Sequence, residues 1–332
     1  IFSNMKNRFG ILWIIWTLIG IALVYGVSAS KSESSTISII ANVISLSPLL
    51  GLLLALGSGK ASRQFNDWLH GNSNSLVYVS GGISFLAILP GIMTFNFNPY
   101  YWVIFAAGVF SVLGVLKQTK NEEYTFTWTD LVLWILLWIP FDLRWSMELL
   151  PGVSETYTWW SIAISVIAVI SWSGYRGADI GFNLVPKFKD IRVALIALAI
   201  IMAFVVPPGL LTGFLKFNVP ESYNIPKLAL HFIGLFLTVA LPEELFFRGI
   251  LLRGLDKMFS KKWIPLVISS LAFGLMHWNN VSTLSTQITY VTLAAIAGAG
   301  YGLAYRKSGN SLFAAILVHT LVDWVWKLIL AG

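Results

Sequence analysis

Apolar residues run through this chain in long, nearly unbroken stretches rather than in the short periodic patterns of a soluble helix or strand. Stretches near the length of one bilayer crossing, about 20 residues, lie at 9–28, 37–57, 75–95, 100–116, 130–143, 158–174, 191–211, 226–250, 263–279, 284–305 and 310–331. The pattern predicts an all-α, polytopic integral membrane protein of about eleven transmembrane helices, with 100–116 and 130–143 short. Polar stretches at 58–75 and 117–130 read as ordinary loops. The first apolar stretch follows Lys6 and Arg8 and ends near Ser28-Ala29-Ser30, the outline of a signal peptide. Its apolar run exceeds the roughly 7–15 residues of a signal core, which predicts a retained helix. The chain opens on Ile1 rather than Met, so the numbering is expected to start inside the translated product.

Composition sharpens this picture. Of 332 residues, 57% are hydrophobic and 11% charged, with mean hydropathy +0.76, against about 25% charged residues in a soluble domain. The 15 Trp, 22 Phe and 11 Tyr suit many helix ends at the membrane interfaces. With no cysteine, disulfides, thiolate metal ligands and a cysteine nucleophile are excluded. The net charge of +7 calls for no nucleic acid, because in a membrane chain the placement of the cations matters more than their sum. Assigning the loops alternately to two sides puts 17 Lys and Arg on one side and 5 on the other. That bias predicts a cytoplasmic N-terminus and an outside C-terminus, in the cell (inner) membrane. Moving the count by one span erases the asymmetry.

The segment 175–192 is dense in Lys and Arg and separates an N-terminal region of six helices, 1–174, from a C-terminal region, 175–332, that holds the unusual polar groups. There "LPEELFFRGILLR" (241–253) places Glu243, Glu244 and Arg248 in an apolar helix. An ionisable residue inside a membrane is a functional-site hypothesis by default. Residues turn by about 100° each on a helix, so Glu244 and Arg248 are about 40° apart and can pair, whereas Glu243 is about 140° from Arg248 and stays free. "FGLMH" sets Phe273 four residues before His277, and "HTLVD" sets His319 four before Asp323. At 1.5 Å per residue, Glu243, His277, His319 and Asp323 lie about 14–21 Å from the inner ends of their spans. In a core about 30 Å thick that is mid-membrane, where the four can meet.

Other polar features read more plainly. His231 is placed near the outer interface, His70 in a solvated loop, and Asp142 with Arg144 at a helix end. "GAGYG" (298–302) follows no strand, so Gly298 and Gly302 read as a close-packing face and not a dinucleotide site.

"EELFFR", "FGLMH" and "HTLVD" resemble, in order and spacing, the EExxxR, FxxxH and HxxxN/D motifs of the CAAX prenyl protease and bacteriocin-processing family of intramembrane proteases. The resemblance covers roughly residues 190 to 331. It implies an endopeptidase acting on a membrane-associated peptide or protein in the bilayer, with Glu243 and His277 activating a water and His319 and Asp323 stabilising the oxyanion. It also implies that Glu244, Arg248 and Phe273 support the site. The prenyl-protease branch has Asn where this chain has Asp323, and an ionised Asp cannot donate to an oxyanion. It must be protonated or must orient His319. A carboxylate with two histidines also suits zinc, held by Glu243, His277 and His319, although HExxH is absent. Glutamate-activated water and a metal site both stay open, as do a proton-coupled transporter and a non-catalytic scaffold of the same family.

Overall fold

A computed structural model describes residues 8–29, 35–119, 124–144, 156–219 and 223–330. Ser30 of the cleavage-site pattern and the 145–155 stretch beyond Asp142 and Arg144 lie outside them. The described residues are mostly helical, with no strand among them. Among the described residues nine helices are long and apolar enough to cross a membrane. They belong to two compact units, 1–179 and 180–332.

The first unit holds α1 (Arg8–Ala29), α2 (Thr36–Leu56), α3 (Gly59–Gly71), α4 (Ser75–Met93), α5 (Pro99–Gln118), α6 (Trp128–Asp142) and α7 (Thr156–Ala168), the last continued by wide turns to Tyr175. Small residues let α1 and α2 approach closely, as lipid-embedded helices do. A Cβ on Gly51 would fall 2.3 Å from Thr17 Oγ1, and one on Gly20 would fall 3.2 Å from the Ser47 carbonyl. The stretch expected as a polar loop at 58–75 instead forms α3, an amphipathic helix that buries Ala61, Phe65 and Leu69. Its spacing of apolar residues by four was masked by the surrounding polar ones. His70 therefore stands on a helix, with Nε2 3.1 Å from the Gly174 carbonyl.

α6 has 15 residues, and a buried polar cluster fastens its start. Arg176 reaches both Asp130 oxygens at 3.2 and 3.0 Å and the Thr125 carbonyl at 3.1 Å. Trp172 Nε1 also donates to Asp130, and Thr127 N–H closes the helix cap on it. A buried ion pair is tolerable only when its remaining lone pairs and protons are occupied, as here. Burial, then the Asp130 carboxylate, push the neighbouring Tyr124 hydroxyl well above the usual tyrosine range.

The second unit begins with an extended stretch and then α8 (Phe188–Leu211). A single helical run, 225–258, follows. Within it α9 (Ile225–Leu235) and α10 (Leu241–Glu244) are separated by wide π turns, and more π turns lead from Leu245 to α11 (Arg253–Met258). Pro242, without an N–H, sits in the short α segment between the two π stretches. α12 (Trp263–Met276) ends in a tight turn, His277–Asn280, then come α13 (Leu284–Lys307) and α14 (Leu312–Val325), which ends in another wide turn. α13 packs on α8, α12 and α14. Close approach again rests on glycine, since a Cβ on Gly274 would fall 2.5 Å from the Val291 carbonyl and one on Gly302 2.6 Å from Leu266 Cδ1. Gly181 has φ +70, and a Cβ there would meet the Asn310 carbonyl at 2.0 Å. Its carbonyl accepts from Leu312 N–H, fixing the start of α14.

Candidate active site

Arg248 organises the site from below. Its Nη1 donates to Glu244 Oε1 and its Nη2 to the Gly298 carbonyl, each at 2.8 Å. Its guanidinium lies 4.4 Å from the Phe273 ring centroid and 5.3 Å from that of Tyr301. The Glu244 and Arg248 side chains are fully buried. The spacing predicted this pair, and the π turns improve it, because a turn closed from i to i+5 is wider than an α turn and brings residues four apart closer to one line. A side chain at 298 would be crowded, since a Cβ there would be 3.0 Å from both Arg248 Nη2 and Phe273.

His319 is the hub. Its Nδ1 donates to the same Glu244 Oε1 at 2.8 Å, so one carboxylate oxygen serves the arginine and the histidine. Its Nε2 faces Asp323 Oδ2 at 3.4 Å and Glu243 Oε2 at 3.7 Å. A bare imidazole lone pair aimed at carboxylate lone pairs would be repulsive, so a hydrogen on Nε2 directed at Asp323, the nearer acid, suits this geometry. The Tyr301 ring stacks on His319 at 4.6 Å and 14°. Glu243 has a side chain 14% exposed, and its Oε2 makes no hydrogen bond.

His277 stands slightly apart. Its Nδ1 is 2.9 Å from the Phe273 carbonyl. A carbonyl only accepts, so Nδ1 carries a hydrogen, and in the neutral ring Nε2 is then the free acceptor. The ring is held between Phe273 and Tyr290, with centroids 4.9 Å from each. Among the described residues His277 has no hydrogen bond or ion pair with Glu243 or His319. Phe273 thus does three things: its carbonyl holds His277, its ring face covers Arg248, and its edge meets His319 at 5.6 Å.

The structure brings Glu243, Glu244, Arg248, Phe273, His319 and Asp323 into one contact network and sets His277 beside it. His231 is exposed on α9, outside it. Three participants escaped the sequence reading: Tyr290, Tyr301 and the Gly298 carbonyl. The two tyrosines are eleven residues apart, which puts them about 20° apart around α13. That shared face is a signal the sequence contains, whereas a backbone carbonyl leaves none.

Zinc would need nitrogen or oxygen donors converging at about 2.0–2.2 Å. Among the described residues no three His, Asp or Glu side chains are grouped to hold a metal ion. His319 engages both ring nitrogens, one with Glu244 and one with the acids, and would have to give up a partner to bind a metal. The donor set of Glu243, His277 and His319 does not fit zinc as arranged.

Residues 225–325 match the family model described as type II CAAX prenyl endopeptidase Rce1-like. The stretch is similar to that family over these residues. It contains every site residue named above, while the flanks of the sequence resemblance, 190–224 and 326–331, fall outside the match. No curated protein and no solved structure matches the chain. The match likens this segment to CAAX prenyl endopeptidases, and the long apolar helices suit a multi-pass membrane protein.

Proposed function

We propose that the chain is an intramembrane endopeptidase that hydrolyses a peptide bond of a membrane-associated peptide or protein. The observation that carries the reading is Glu243. Its Oε2 is unpartnered, it sits 3.7 Å from His319 Nε2, and it lies within the segment that matches the family model. An unbonded polar atom in a buried network is costly, and a water or substrate group would satisfy it.

Water is a poor nucleophile and needs a positioned base. Glu243 would take one proton as the water attacks the scissile carbonyl, with the free Nε2 of His277 accepting a hydrogen bond from the remaining O–H and aiming the oxygen. The carbonyl becomes a tetrahedral oxyanion, and the hydrogen on His319 Nε2 is the donor nearest to it. Losing one such donor typically costs 10²–10³ in kcat. The carbon–nitrogen bond then breaks as Glu243 returns its proton to the departing amine. In this reading Glu244 and Arg248 take no part in proton transfer. They hold His319 in place.

The test is hydrolysis of an internally quenched, prenylated C-a-a-X peptide by the purified protein in lipid nanodiscs, with and without chelator, alongside a count of bound metal. The reading expects turnover in the wild type and none in Glu243→Gln, with chelator ineffective. Turnover abolished by chelator together with stoichiometric bound metal supports the zinc mechanism instead. Equal turnover in Glu243→Gln refutes the assigned roles.

A further inference from the structure

We propose that Tyr290 is a positioning residue, holding the His277 imidazole in the orientation that leaves Nε2 free for the reaction. The proposal rests on the protease reading for what Nε2 does, but its geometry stands by itself. His277 is the first residue of the short turn His277–Asn280 that ends α12. Helix ends fray, and the single bond from Nδ1 to the Phe273 carbonyl permits the ring to turn about that contact.

Tyr290 meets this turn from α13 in two places. Its ring makes an edge contact with the His277 ring, centroids 4.9 Å apart at 62°. Its hydroxyl lies towards the Asn280 side chain at the far end of the same turn. One side chain therefore spans both ends of His277–Asn280. The tyrosine is itself backed by Phe214 at 5.1 Å and Trp326 at 5.7 Å, so its ring cannot swing away without unpacking two aromatic neighbours. Eleven residues on, Tyr301 stacks against His319. The one helix thus presents a tyrosine to each of the two site histidines. Tyr301 is fully buried beside Arg248 and part of the fold. Tyr290 is only half-buried, which makes it the variant that can be read.

The chain has only four histidines, so protein labelled with ¹⁵N-histidine in nanodiscs gives one set of ring signals for each. His277 is assigned by the signals lost in His277→Gln. The wild type is expected to place His277 in a single tautomer with hydrogen on Nδ1. Tyr290→Phe removes the hydroxyl beside Asn280 and keeps the ring, and Tyr290→Leu removes both. The His277 signals should shift towards a mixed tautomer in the Phe variant and further in the Leu variant, with those of His319 unmoved. In the same nanodiscs the quenched prenylated C-a-a-X peptide should show kcat falling by about 10-fold, the scale for removing an outer partner of a working histidine, with KM unchanged. A role in packing alone would lower thermal stability and leave the tautomer as it was. An unchanged His277 tautomer in both variants overturns the proposal. If the wild type hydrolyses no peptide, the protease reading fails on that substrate, and the ring signals still decide the role of Tyr290. If Tyr290→Leu does not fold, Tyr290→Phe decides it.

Discussion

Two adjacent glutamates do different work because each faces a different neighbour. Glu244 is fully buried and shares one oxygen between Arg248 and His319, whereas Glu243 is partly open and has an unbonded oxygen. Glu243→Gln should therefore leave thermal stability near wild type while abolishing hydrolysis, checked by melting the purified protein beside the peptide assay. Arg248→Ala strands a buried carboxylate. Breaking a buried pair from one side costs about 3–5 kcal/mol, and the melting temperature should fall accordingly. Asp323 lies 3.4 Å from His319 Nε2, on the side away from the nitrogen that Glu244 holds. Asparagine there can still accept from Nε2 and can donate to an oxyanion, so Asp323→Asn should keep substantial turnover. Asp323→Ala should lose a factor of about 10² or more, and full activity in that variant would contradict the assigned geometry.

At the scale of elements, the i to i+4 spacings 244–248, 273–277 and 319–323 could be read as pairs because a helix puts such residues on one face. All three pairs touch. What the spacing could not reveal is that the second of these contacts runs through a backbone carbonyl, or that His319 takes Glu244 from another helix as well as Asp323 from its own. Cross-helix partners depend on packing, which no local pattern encodes. Helix lengths were legible where apolar runs were long and less so elsewhere. α3 was hidden because its buried face is only three residues wide. The 225–258 run extends past its expected end at 250, since Arg253, Asp256 and Lys257 interrupt hydropathy without interrupting the helix. The expected close-packing role of Gly298 has a specific consequence. Alanine there meets Arg248 and Phe273 at 3.0 Å, so Gly298→Ala should destabilise by about 1–3 kcal/mol and, by displacing Arg248 from Glu244, lower kcat without changing KM. Thermal melting and the peptide assay check both effects.

For the whole molecule, the chain divides into two compact units, 1–179 and 180–332, and the segment that matches the family model lies in the second. We propose, from the 17-to-5 distribution of Lys and Arg, that the N-terminus is cytoplasmic. The absence of native cysteine makes this easy to check. Lys60→Cys should react with a membrane-impermeant maleimide only after the inner face is opened, and Asn96→Cys should react in intact cells. The reverse pattern would invert the topology. The central claim is that Glu243 makes this chain a protease, and protein termini across a whole membrane test it most directly. Membranes from cells expressing the wild type are compared with membranes from cells expressing equal amounts of Glu243→Gln, and every new N- and C-terminus is identified. The account predicts a set of termini from membrane-associated proteins that appears only with the wild type. Identical sets of termini from the two membranes would contradict it.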